Sequence, residues 1–394
     1  MRKNNETVKP IGCIYGSEKK LTENIKTPAR EFKSRKGFMD YLAGLMELSF
    51  EEKKEIAEYG GETRGKQREL KTYIMESNNK TTDICTGNAA IQYPTDIENL
   101  SILQMQYANR ASTFYVDSSD KRFMVLYTND LAETADKLYS LLVYSTSNYF
   151  DKVWLPTEVL KDLAHLSGNI FKGFGLSYDD LFSRVEKDQT KHELKVTATG
   201  PLSNQAYDAL DTNDNLKKTI AYSKVRVFRG GEEEFATDEL QHNGRMITAA
   251  GTSAEDHVTF VDIVRKVYRD LIEKTESNRI GIRNVEGRTL LEGQAFDLYL
   301  NREIDDLEHF TDVLLNSRRP FRLWGLKNKV LPNMQKIVAV DLHTGDPIDL
   351  EITPSLLRIY LPKNACGNTV LRMYVNLQHH FDSAVRLNGK KRID

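Results

Sequence analysis

Apolar residues recur at helical spacing early in the chain. Phe38, Leu42 and Leu45 predict one helix, and Ser49, with a glutamate three positions later, has the capping-box pattern that predicts the start of a second. The predicted helices cover 37–48, the stretch from Ser49 to the Gly60-Gly61 pair, and 64–76. They form a helical unit over 37–77, interpreted either as a plain helical hairpin or as a DNA-binding helix-turn-helix. Clustered basic residues before it predict a mobile basic arm over 1–36.

Strand-like and helical patterns alternate in the middle of the chain. A polar, aperiodic stretch over 78–95 predicts a linker. After it we expect a mixed α/β domain over 96–186. Its predicted elements are a hairpin of 113–117 and 122–127, helices over 132–143 and 158–166, and a glycine-punctuated loop over 171–176.

The second half of the chain predicts sheets with helices on one face. The Asn243-Gly244 pair between two extended runs is a strong hairpin signal, and a long amphipathic helix follows it. These patterns predict an α+β domain over 187–277 and a C-terminal α+β domain over 278–394, which ends in a helix over 369–387. The predicted fold class is α+β, multidomain, with a small helical unit, a mixed α/β unit and two units of antiparallel sheet plus helix.

Charge, cysteine content and the length of apolar runs argue against some classes of protein. The 394 residues include 55 Lys+Arg and 57 Asp+Glu, a net charge of −2, which argues against a uniformly basic nucleic-acid binder. Charge is nevertheless segregated: the arm and the Arg318–Arg322 region are basic, whereas the Asp305-Asp306 pair is acidic. Three widely spaced cysteines and a polar N-terminus favour the cytoplasm, and no apolar run is long enough to predict a membrane span.

The predicted closing helix separates into two faces. At 100° per residue, the apolar residues fall on one arc and a second arc collects residue types that bind anions and transfer protons. The second arc consists of Arg372, Asn376, His379, His380, Ser383 and Arg386. Because this arc lacks the Glu and Lys typical of a solvated helix surface, we expect it to be a ligand-binding face, with an ordinary solvated face as the alternative.

Two neighbouring segments offer further candidates. Asp341 and His343 alternate along a predicted strand, a spacing found among metal ligands and equally at exposed strand ends. Asn368 and Thr369 stand at the predicted helix start, where they serve either as an N-cap or as part of an anion site.

A third segment mixes arginines with aromatic residues. Arginines that alternate with aromatic rings suit base stacking combined with phosphate contacts, although a packed Trp with outward arginines would give the same pattern. The candidates are Arg318, Arg319, Arg322 and Trp324.

These features support three hypotheses. The first is a cytoplasmic binding or regulatory protein that engages nucleic acid or a nucleotide-like anion through the Arg/Asn/His face of the C-terminal domain. The second is a phosphodiesterase or nuclease with His343, His379 or His380 as acid/base groups or metal ligands, Asp341 to orient them, and Arg372 to stabilise a phosphate oxygen. The third is a scaffold subunit whose polar face contacts another protein. No phosphate-loop or dinucleotide-binding motif occurs, and the sequence identifies no cofactor or metal ion.

Overall fold

The chain is an α+β protein with two compact units, residues 1–151 and 152–394. The computed structural model describes residues 31–58, 68–78, 84, 90–145, 150–183, 193–213, 221–285, 288–316 and 319–388. The boundary at residue 151 falls inside the predicted 96–186 domain. Most of the predicted basic arm and linker lies outside the described residues.

The first unit begins with one helix where the sequence predicted two. Helix α1 (Arg35–Glu58) continues through Ser49, whose side chain is buried and does not cap a helix. Phe38, Leu42, Met46 and Ser49 keep the spacing of one buried stripe along it, so the chain has no reason to break there. The Gly60-Gly61 turn required by the helix-turn-helix interpretation lies outside the described residues.

The predicted third helix is wrong for the part that the structure describes. Residues Lys71–Ser77 form strand β1, which is buried along its whole length and pairs antiparallel with β5. A segment buried on both faces has no amphipathic alternation, so its sequence pattern does not distinguish a strand from a helix.

An antiparallel sheet with order β2-β3-β4-β5-β1 organises the first unit. Its other strands are β2 (Ala90–Pro94), β3 (Leu100–Tyr107), β4 (Arg110–Asp117) and β5 (Phe123–Thr128). Helix α2 (Ala132–Ser145) packs Leu138 and Leu142 into a core with the apolar side chains of this sheet. The predicted β4–β5 hairpin and the α2 helix are confirmed. A short strand, β6 (Phe150–Lys152), follows α2.

The second unit contains a first antiparallel sheet with order β11-β10-β9-β7-β8. Its elements in chain order are α3 (Thr157–Ala164), β7 (Ile170–Asp179), β8 (Glu193–Thr199), α4 (Ser203–Asp211), β9 (Ala221–Gly230), β10 (Phe235–Gln241), β11 (Arg245–Gly251) and α5 (Ala254–Glu276). The Asn243-Gly244 hairpin is confirmed between β10 and β11. Ser253 caps α5, since its side chain accepts a hydrogen bond from the Asp256 N–H.

The predicted loop over 171–176 is wrong, because these residues lie in the middle of β7. A Cβ on Gly173 would stand 2.5 Å from the Ala198 carbonyl oxygen, and one on Gly175 would collide with the Lys224 side chain. The glycines therefore permit close approach of β8 and β9 to β7, which is the usual role of glycine inside a strand.

A second sheet with order β15-β16-β17-β18-β14-β19 completes this unit. This part of the chain begins with the β12–β13 hairpin (Gly281–Val285, Arg288–Glu292), which is a sheet of its own. The elements that follow are β14 (Phe296–Tyr299), α6 (Leu307–Leu314), β15 (Leu323–Leu331), β16 (Met334–Asp341), β17 (Pro347–Thr353), β18 (Leu356–Tyr360), α7 (Asn368–His380) and β19 (Arg386–Leu387). The closing helix ends at His380, earlier than predicted, and the chain then enters β19. No helix among the described residues is long and apolar enough to cross a membrane.

Candidate functional site

Helix α7 lies between the two sheets of the second unit, so both of its arcs are buried. Val370, Met373 and Leu377 join the core of the second sheet, and the opposite side packs against β7 and β9. The prediction of a polar face available to a ligand is therefore wrong for Arg372, Asn376 and His379, which are at most 4% exposed.

The first half of the polar arc is held by a buried carboxylate. The Arg372 guanidinium donates to Asp341 Oδ1 and to the Phe321 carbonyl oxygen, and Thr369 Oγ1 donates to Asp341 Oδ2. Asn376 Nδ2 donates to the Arg372 carbonyl at 2.7 Å. Since a buried charge is tolerated only when it is paired and hydrogen-bonded, this network fixes α7 within the core.

The start of α7 is also fully engaged. Asn368 accepts a hydrogen bond from the Tyr268 hydroxyl and donates to the Lys152 carbonyl at 3.1 Å. His343 is buried, and its backbone N–H donates to Asp341 Oδ1 at 2.9 Å. The Gly367 N–H at this helix start donates to Glu276 Oε1 at 3.1 Å, so a carboxylate of the chain itself occupies the place of the predicted anion.

The histidines at the end of α7 belong to a different cluster. The His379 ring contacts the His242 ring, with centroids 4.1 Å apart and the planes tilted by 33°, and His379 Nδ1 lies 3.4 Å from Ser177 Oγ. Burial lowers the pKa of His242 to about 4, and burial together with His242 lowers the pKa of His379. His380 Nδ1 lies 3.0 Å from the Asp179 carbonyl oxygen.

The predicted hydrolase site is therefore divided. His379 follows Arg372 by seven residues, roughly 10 Å along a helix. Asp341, His343 and Arg372 are together at one end, whereas His379 and His380 are at the other. Among the described residues, no three His, Cys, Asp or Glu side chains are placed to hold a metal ion.

The remaining candidates divide between surface and interior. Arg319, Trp324 and Arg386 are exposed, while Ser383 is buried. Arg322 is buried too, and its Nη2 donates to the Leu342 carbonyl oxygen. Arg318 lies outside the described residues. The arginine and aromatic segment therefore does not present its arginines as one surface.

A cavity that none of these candidates lines opens elsewhere in the second unit. It has a volume of about 270 Å³ and is formed by the residues after β7, the loop before α6 with the first turn of α6, and the residue after α7. The lining residues are Phe182, Ser183, Arg302, Glu303, Ile304, Asp305, Asp306, His309, Phe310 and Phe381.

The base of the cavity is aromatic. Phe182 stacks on Phe310 at 4.5 Å between centroids, and Phe381 meets both rings edge-on at 5.3 and 5.0 Å. All three rings belong to the core of the second sheet. The base is thus rigid, because its rings are held by the packing of the unit itself.

Arg302 forms one wall and is already paired. Its Nη1 donates to Asp180 Oδ2 at 2.8 Å, to Tyr178 Oη at 2.9 Å and to the Phe381 carbonyl at 3.2 Å. Burial and Asp180 raise the pKa of Tyr178 to about 12, so its hydroxyl remains protonated and donates to the same carbonyl. Asp180 Oδ1 in turn accepts the N–H groups of Phe182 and Ser183, which fixes the loop beside the cavity.

Among the lining residues that the structure describes, carboxylates outnumber positively charged groups. Glu303, Asp305 and Asp306 contribute carboxylates, and Asp180 neutralises Arg302. Asp306 caps α6 by accepting the His309 N–H at 3.0 Å, whereas Glu303 and Asp305 are exposed. The acidic Asp305-Asp306 pair was visible in the sequence, but the aromatic base was not, since Phe182, Phe310 and Phe381 are far apart along the chain.

Two comparisons relate the chain to known proteins. A family model described as "MJECL33-like protein" matches residues 26–394. The uncharacterized protein MJECL33 of Methanocaldococcus jannaschii is 28% identical over 369 residues, covering 82% of this chain and 87% of that protein.

Proposed function

This chain belongs to the MJECL33-like protein family, and we propose from its own geometry that it is a binding protein whose cavity takes a small organic cation. The observation that supports the proposal is the combination of an aromatic base with a carboxylate rim in one cavity of about 270 Å³.

An amine or guanidinium group fits this chemistry in two ways. Ring faces attract a cation through their quadrupole, by about 0.5–2 kcal/mol for each good contact, and the Arg302 guanidinium already makes such a contact over the Phe381 ring, 4.7 Å from its centroid. Carboxylates add a charge-assisted hydrogen bond, and Glu303 and Asp305 stand at the opening where such a group would enter. The small volume favours a ligand of the size of an amino acid over a nucleotide.

Binding of a nucleotide-like anion stays a prediction with less support. Arg372, Asn376 and His379, on which it depended, are buried. Among the described lining residues of the cavity, the one guanidinium is paired with Asp180, so the carboxylates of the rim would repel a phosphate. The phosphodiesterase alternative is weaker for a related reason: its acid/base groups are split between the two ends of α7.

Calorimetric titration of the full chain tests the proposal with agmatine, choline and ADP as separate probes. We expect agmatine or choline to bind and ADP not to bind. Charge removal at the rim by the double variant Glu303→Gln/Asp305→Asn should weaken cation binding about tenfold or more, the loss of roughly 1.4 kcal/mol.

The matched control is Asp349→Asn, which removes an exposed carboxylate from β17 of the same unit and should leave cation affinity unchanged. The proposal fails if neither cation binds at millimolar concentration, if ADP binds instead, or if the control weakens binding as much as the rim variant does.

A further inference from the structure

The outer face of the second sheet carries an exposed apolar patch at its β15 edge. Trp324 is 52% exposed, Leu326 68% and Val338 64%. Trp324 and Leu326 lie on β15, and Val338 is the β16 partner of Leu326, so the three side chains share one face.

Strand β15 is also an open edge. It pairs with β16 on one side, and the sheet order places no strand of the described chain on its other side. The outer backbone N–H and C=O groups of an edge strand are a template for another strand. Apolar surface and free backbone groups therefore coincide at the same place.

We propose that β15 pairs antiparallel with β15 of a second copy of this chain, around a two-fold axis at Gly325. In this register Trp324 of each chain lies opposite Leu326 of the other, and Leu323 lies opposite Lys327. Such an interface is isologous, which is the commonest form of symmetric dimer.

The charge pattern of the strand selects this register. A two-fold axis at residue 327, 328 or 329 would place Lys327 and Lys329 opposite themselves or each other, and like charges directly opposite are destabilising. An axis at Gly325 places no lysine opposite a lysine of the other chain, and it places Trp324 opposite Leu326. Lys327 keeps its own partners within the chain, Glu308 Oε1 at 2.5 Å and Asp312 Oδ1 at 2.6 Å.

The exposed area of Trp324, Leu326 and Val338 can be compared with the area that a stable dimer buries. Large side chains carry roughly 150–250 Å² each, so three that are half to two-thirds exposed present on the order of 400 Å² per chain. A standard interface takes about 800 Å² from each partner. The patch supplies about half of that, and strand pairing adds to it, so we expect a weak dimer that forms at micromolar concentrations.

Sedimentation velocity on the full chain, from about 1 to 100 µM, tests this range. We expect the sedimenting mass to double as concentration rises. The variant Leu326→Lys should remain a monomer throughout, whereas Leu291→Lys should dimerise like the parent chain. Leu291 is a matched control because it is 78% exposed on the β12–β13 hairpin. Circular dichroism checks that both variants are folded.

Cross-linking tests the register. In a background with Cys13→Ser and Cys85→Ser, chains carrying Trp324→Cys are mixed with chains carrying Leu326→Cys and oxidised to form disulfides. A disulfide can join directly opposite residues, whose Cβ atoms are about 4.5–5.5 Å apart, but not the diagonal 324–324 or 326–326 pairs, which are about 7–8 Å apart. We expect covalent dimers in the mixture and few with either variant alone. The proposal is overturned by a monomer at every concentration, by a dimer that survives Leu326→Lys, or by cross-linking that is equal in the mixture and in the separate variants.

Discussion

Arg372 shows how strongly one side chain depends on its partner. It is fully buried, and its charge is balanced by Asp341 and by the Phe321 carbonyl. We expect Arg372→Met to lower the free energy of unfolding by about 3 kcal/mol or more, because the change leaves Asp341 buried without a cation. Urea denaturation followed by circular dichroism measures the difference.

The control for this prediction is Arg386→Met, at an exposed position of β19, which should change stability by less than about 0.5 kcal/mol. The double variant Asp341→Leu/Arg372→Met should recover part of the loss, since removing both charges costs less than stranding one. Equal losses in Arg372→Met and Arg386→Met would contradict the assigned role.

Sequence patterns are least reliable for the surroundings of single side chains. The helical period correctly separated an apolar arc from a polar arc on α7. It could not show that the polar arc is buried, because the groups that satisfy it, Asp341, Ser177 and His242, come from other strands and loops. The same limit hid the cavity, whose aromatic base is assembled from three distant segments.

The turn between β9 and β10 depends on a glycine. Gly230 has φ of +99°, and a Cβ there would lie 2.4 Å from the Glu234 carbonyl oxygen. Gly230→Ala should therefore destabilise the protein by about 1–3 kcal/mol through backbone strain and collision. The neighbouring Gly231 has open space around a built Cβ, so Gly231→Ala is its matched control.

Thermal unfolding of the two variants distinguishes these positions. Gly230→Ala should lower the melting temperature by several degrees, while Gly231→Ala should leave it within about a degree or raise it slightly. Equal melting temperatures would show that the turn relaxes without cost.

Local signals predicted elements well where the turn chemistry is explicit. The Asn243-Gly244 hairpin and the long helix α5 are confirmed because a short stretch of chain determines each of them. Strands β1 and β7 were missed for two different reasons. Strand β1 is buried along its whole length, so its sequence carries no alternation, whereas the glycines in β7 that permit close packing resemble loop glycines.

At the scale of the whole molecule, the α+β class was predictable and the details of assembly were not. Alternating strand and helix patterns fix the class, since antiparallel sheets with helices on them are the packing those elements allow. Which helix lies between the two sheets of the second unit depends on contacts distant in sequence, and no local pattern encodes them.

The buried His242–His379 pair predicts that the stability of the whole fold decreases at acid pH. Burial lowers the pKa of His242 to about 4 and lowers that of His379 as well, against an ordinary value of 6.5. Between those values the unfolded chain binds protons that the folded chain excludes, so stability falls as pH decreases below about 6.5. By pH 5 the His242 contribution alone amounts to about 2 kcal/mol, and His379 acts in the same direction.

Urea unfolding at pH 7.5, 6.5, 5.5 and 5.0 measures this loss in a window where most carboxylates do not yet titrate. His242→Asn retains a donor for the Ser223 carbonyl and removes the titrating ring, so its stability should depend less steeply on pH. A variant with the same pH slope as the parent chain would assign the acid loss to other groups. A parent chain with flat stability down to pH 5 would show that both rings are protonated while folded, contrary to their burial.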